Sequence, residues 1–101
     1  MKYEDLDDQL DLICDAIISI KDRKTCKNFL KDICTINELY SLVQRLQVAY
    51  MLNNNKTYQE IADETHASTA TISRVNRSLN YGEKGYKAVL NNLPDDAGKK
   101  N

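Results

Sequence analysis

Three observations predict an all-α fold of about six helices. Apolar residues recur at three-four spacing along most of the chain. Two Thr-x-x-Glu capping boxes, Thr35 with Glu38 and Thr57 with Glu60, mark helix starts. Only three Gly and one Pro occur in 101 residues, so little interrupts helical structure. A composition 42% hydrophobic and 29% charged belongs to a compact globular chain. At this length one domain is expected, over residues 1–93, with 94–101 a flexible tail.

The first helix is expected near residues 4–22, where Leu6, Leu10, Ile13, Cys14, Ile17 and Ile20 form one face and the acids lie mostly opposite. Thr25 is expected to cap a short second helix carrying Phe29, Leu30 and Ile33. The Thr35 capping box opens a third helix running to about Leu52, and Asn53, Asn54 and Asn55 follow as a polar loop. Thr57 opens a short helix from Tyr58 to about Thr65, with a turn over His66 and Ala67. Ser68 or Thr69 then caps a helix to about Leu79, stopped near Asn80-Tyr81-Gly82, with Gly82 suited to a left-handed C′ position. A last helix near 84–92 presents Tyr86, Val89 and Leu90, with Leu93 beside it, before Pro94.

The third helix is apolar around much of its circumference. Leu39, Leu42, Val43, Leu46 and Tyr50 form one stripe, and Val48, Met51 and Leu52 carry it further round. A helix apolar over so wide an arc needs neighbours on several sides, and a chain this short meets that need with a second copy of itself, so a homodimer is expected. One broad face packed against the chain's own helices is the alternative.

The formal net charge is −1, so overall electrostatics do not argue for a polyanionic partner, and local placement has to carry any such case. Residues 1–20 hold Glu4, Asp5, Asp7, Asp8, Asp11 and Asp15 against Lys2; residues 68–87 hold Arg74, Arg77, Lys84 and Lys87 against Glu83. Cys14, Cys26 and Cys34 are odd in number and lack metal-ligand spacing, so they read as small buried hydrophobes. No apolar run approaches the roughly 20 residues of a membrane span, and a cytoplasmic setting without a membrane partner is expected. With one His and neither a glycine-rich phosphate loop nor a nucleophile–base arrangement, an enzyme is not indicated, and no cofactor or metal is expected.

The segment from Thr57 to Leu79 fits a helix-turn-helix. Two helices crossing steeply over a short turn need a small residue where they meet, and Ala62 stands there. Ile61, Ile72 and Val75 fall where the shared core requires them. Ser68, Thr69, Ala70, Thr71 and Ser73 then point outward at the start of the second helix, side chains short enough to let a helix enter a major groove roughly 12 Å wide. Arg74 and Arg77 follow, placed for phosphates beyond the base edges. Thr57, Tyr58 and Gln59, at the start of the preceding helix, are further phosphate contacts favoured by its dipole, although Tyr58 equally suits packing. His66 holds a turn position at which glycine is common, and His tolerates positive φ better than most residues. Its alternative as a metal ligand or general base lacks a partner in sequence.

The run Ser68-Thr69-Ala70-Thr71-Ile72-Ser73-Arg74, followed by Ser78-Leu79, resembles the reading head of the Trp repressor family, and more closely its YerC/YecD branch, from about Leu6 through Leu93. That resemblance implies an interlaced homodimer built mainly from the first three helices and the last, with two reading heads facing successive major grooves. It also implies a corepressor pocket between two arginines, beside a glycine that leaves room for an indole. Arg74 matches one arginine; the other falls on Arg45 or on Gln44. Val75 stands in place of the glycine and fills that space.

The reading that follows is a sequence-specific binder of double-stranded DNA, a repressor acting as a homodimer and not responsive to tryptophan, with an unidentified small corepressor at Gln44, Arg45 and Arg74. An adaptor using the same helical surface on a protein partner is the alternative.

Overall fold

The computed structural model describes residues 3–98, among which there are six helices and no strand. They form two compact units, residues 1–39 and 40–101.

The first unit holds α1 (Tyr3–Ser19), α2 (Arg23–Ile33) and the first turn of α3 (Ile36–Asn53). Helix α1 stops at Ser19, earlier than its apolar spacing suggests, and the Ile20 N–H closes a tight last turn on the Ile17 carbonyl at 3.1 Å. Asp22, not Thr25, caps α2: its carboxylate accepts the Thr25 N–H at 2.9 Å, and Asp outranks Thr at that position. The Thr35 capping box forms in both directions, Thr35 N–H to Glu38 Oε1 at 2.7 Å and Glu38 N–H to Thr35 Oγ1 at 3.1 Å.

None of the described side chains in this unit is fully buried. Leu6, Leu10 and Ile17 on the expected apolar face of α1 remain 40–52% exposed, and Leu12 and Ile18 are about 80% exposed. The cysteines are accordingly not core residues: Cys14 is exposed and Cys26 and Cys34 are half-buried.

The second unit carries the buried core. Val48 and Ala49 of α3 meet Ile61 of α4 (Tyr58–Thr65), Ala67 of the turn, Ile72, Val75 and Leu79 of α5 (Thr69–Tyr81) and Leu90 of α6 (Gly85–Asn92). Met51, Leu52, Ala62, Tyr86 and Leu93 pack around them. Burying the Val, Ile and Leu side chains of this set, each contributing about 1.5–3 kcal/mol, is what fixes α4 and α5 against α3. The Gln44 amide donates to the Thr65 carbonyl at 3.1 Å and the Lys87 ammonium donates to Asn53 Oδ1 at 3.0 Å, which adds polar ties at two corners. One side of α3 serves this core while Leu42, Val43, Leu46 and Tyr50 stay 42–53% exposed.

Three non-glycine residues of the second unit take positive φ: Asn55 (63°), His66 (61°) and Lys84 (69°). Gly82 does not; its φ is −85° and the left-handed residue at this joint is Lys84, at the N-cap of α6. Gly82 is required for a different reason, since a Cβ there would run into the Ser78 carbonyl that its own N–H caps at 3.0 Å. Helix α5 consequently runs two residues beyond Leu79. Residues 95–98 curl into a turn with the Ala97 N–H on the Pro94 carbonyl, while 99–101 of the expected flexible tail lie outside the described residues.

Candidate nucleic-acid interface

The geometry of α4, turn and α5 follows from its caps. Thr57 and Glu60 cap each other, with Glu60 N–H to Thr57 Oγ1 at 3.1 Å and Thr57 N–H to Glu60 Oε1 at 3.0 Å. These bonds from Thr57 hold the Glu60 carboxyl below its ordinary value of 4.5. At the other end of α4 the His66 N–H returns to the Ala62 carbonyl at 2.9 Å with His66 left-handed, so the chain reverses within one residue. The Thr65 hydroxyl donates to the Ile61 carbonyl at 2.7 Å and accepts the Ala67 N–H at 3.2 Å, so no backbone donor is wasted in the turn.

Ser68 is the N-cap of α5. Its Oγ accepts the Thr71 N–H at 3.1 Å, and its hydroxyl donates to Thr71 Oγ1 at the same distance. Of the residues expected on the reading face, Ser68 and Thr71 are thus bonded to one another, and Thr71 is half-buried. Thr69, Ala70, Ser73, Arg74 and Arg77 are exposed. Ile72 and Val75 are buried at 0% and 2% exposure, so the helix divides sharply into a core face and a free face. On α4, Thr57, Tyr58 and Gln59 are all exposed; the Gln59 amide is held by Asp63 Oδ1 at 2.8 Å, and Tyr58 is 39% exposed rather than packed away.

A cleft of about 190 Å³ lies between α3, α5 and α6. Gln44, Arg45 and Arg74 all line it, together with Ser41, Thr71, Val75, Ser78 and Tyr86. The structure therefore brings the three expected pocket residues together and retains both candidates, Gln44 and Arg45, for the α3 contribution. Ser78 belongs to the motif that carries the resemblance and stands one turn after Arg74; Ser41 lies outside that motif, although it stands one turn before Arg45. Tyr86 carries no such signal, since only the packing of α6 brings it here. Among the described residues there is no cluster of three metal-ligating side chains and no helix long and apolar enough to cross a membrane.

The second unit is a helix-turn-helix set in an all-helical frame. A family model described as Trp repressor protein matches residues 8–94, and the chain belongs to that family. It is 51% identical over 87 residues, covering 86% of this chain and 84% of the relative, to the uncharacterized protein YerC of Bacillus subtilis (strain 168). A crystal structure of a TrpR-like protein from Eubacterium eligens ATCC 27750 superposes with a TM-score of 0.78 at 52% identity, covering 83% of this chain and 87% of the other. A second TrpR-like structure, from Staphylococcus aureus, gives 0.81 at 48% identity, covering 90% and 92%. The family is one of DNA-binding regulators, and its fold is the one found here.

Proposed function

We propose that this protein is a transcriptional repressor that reads double-stranded DNA as a homodimer. The observation that carries the reading is the free face of α5: small exposed side chains at Thr69, Ala70 and Ser73 followed by Arg74 and Arg77, on a helix whose other face is locked into the core. Short side chains admit the helix to the major groove, and the arginines supply the phosphate neutralisation on which affinity rests. Tyr58 and Gln59, exposed at the start of α4, add backbone contacts.

Dimerisation is supported by the aliphatic side chains of α1 and of α3 that stay about half exposed, among them Leu10, Ile17, Val43 and Leu46. Two reading heads roughly add their free energies, giving discrimination that one short helix lacks.

The cleft at Gln44, Arg45 and Arg74 is a candidate corepressor site, and it is not built for tryptophan. Buried Val75 occupies its wall, where the family resemblance places a glycine that leaves room for an indole.

Selection of duplexes from a random pool, followed by gel shifts with Arg74→Ala and Ser73→Ala, tests the reading. Enrichment of a two-fold symmetric site lost in both variants is expected. Absence of any enriched duplex, together with capture of a protein partner on the α5 face, would establish the adaptor instead.

A further inference from the structure

Helix α5 is longer than its groove-facing motif requires. At about 100° per residue, Thr69, Ser73, Arg77, Ala70, Tyr81 and Arg74 fall within an arc of about 140°, opposite Ile72, Val75 and Leu79. Tyr81 is thus on the same side as the reading residues, and at 86% exposure it is the most exposed large apolar side chain among the described residues. It is the last residue of the helix, because Gly82 lets the chain leave at once where any side chain would strike the Ser78 carbonyl.

The neighbouring polar group is otherwise engaged. Asn80 donates to the Asn76 carbonyl at 3.0 Å and to the Asn76 side chain at 2.9 Å, so it is bound to its own helix. On the reading side of this end, Arg77 and Tyr81 are exposed and have no side-chain hydrogen bond among the described residues.

Resting on the DNA reading above, we infer that Tyr81 is a phosphate-contacting residue of the interface, its hydroxyl donating to the strand that borders the groove read by Thr69 and Ser73. From Thr69 to Tyr81 the helix rises about 18 Å, against a major groove about 12 Å wide. A helix with its first turns on base edges therefore carries its last turn over the bordering strand. Side chains on a helix lean toward its N-terminus, which brings the Tyr81 ring back toward that strand. Tyrosine hydroxyls are among the ordinary donors to phosphate oxygens.

The test uses the duplex selected by the full-length wild type, with affinity measured against salt for Tyr81→Phe, Tyr81→Ala and Arg77→Ala. Tyr81→Phe is expected to bind about five- to tenfold more weakly with an unchanged salt slope, because it removes a neutral donor, whereas Arg77→Ala flattens the slope by about 0.9 per contact. Ethylation of one bordering phosphate is expected to weaken the wild type but not Tyr81→Phe. A wild type that selects no duplex overturns the DNA reading and this assignment with it. A wild type that binds while Tyr81→Phe binds equally well, including a loss confined to Tyr81→Ala, overturns the hydroxyl's role alone.

Discussion

Ser68 and Thr71 are joined twice, by the Thr71 N–H on Ser68 Oγ and by the Ser68 hydroxyl on Thr71 Oγ1, both at 3.1 Å. Ser68 therefore builds the start of α5, and its hydroxyl proton is committed to Thr71. Ser68→Ala should lower stability by about 1 kcal/mol in denaturant unfolding, with Ser68→Asn nearly neutral. The sequence preference of the selected duplex should survive both. Altered preference with unchanged stability would reverse the assignment.

Three carboxylates tie caps to pH. Asp22, Glu38 and Glu60 are all held below their ordinary values, in each case first by a backbone N–H, that of Thr25, Thr35 and Thr57 respectively. A depressed folded value means that the ionised form is favoured in the native state. Their contribution is therefore complete above the ordinary values of 3.8 and 4.5 and is lost as pH falls through the folded ones. Stability measured from pH 6 to pH 2 should decline on the acid side, and the triple variant Asp22→Asn, Glu38→Gln, Glu60→Gln should decline less steeply.

His66 has φ 61° and ψ 17°, a conformation strained for a residue with a Cβ. His66→Gly should be neutral or stabilising by up to about 1 kcal/mol, relief of strain being partly offset by added freedom of the unfolded chain. His66→Val, branched at Cβ, should destabilise by about 1–2 kcal/mol, read as a lower urea midpoint.

Val75 is 2% exposed and belongs to both the core and the cleft wall. Tryptophan is expected to leave wild-type DNA affinity unchanged within about twofold in titrations. Val75→Gly should lose about 2–4 kcal/mol of stability through the cavity and the helix propensity of glycine. A wild type that tightens on DNA tenfold with tryptophan would refute the size argument.

The helices and the helix-turn-helix geometry are legible because their signals are local. Thr57 and Glu60, or Ile61, Ile72 and Val75, announce their positions by spacing alone. What escaped depended on competition or on tertiary packing. Asp22 took the cap from Thr25 three residues on. Gly82 after a helical run predicts a left-handed stop, yet the steric pressure at that position comes from the Ser78 carbonyl. Tyr86 entered the cleft through α6. Cysteine as a residue type favours burial, yet Cys14 is exposed and Cys26 and Cys34 are half-buried, because residue type alone does not say what packs against a helix.

Asn55, His66 and Lys84 stand at the joints between α3 and α4, α4 and α5, and α5 and α6, each left-handed without being glycine. A left-handed well is narrow for an L-residue and broad for glycine, so these joints act as stiff brackets with little angular play. The tilt of α5 is thereby set by the joints as well as by the core. Substituting glycine at all three would exchange rigidity for reach: on the proposed DNA reading, the helix-turn-helix would tolerate a wider range of half-site spacings and distinguish less sharply among them.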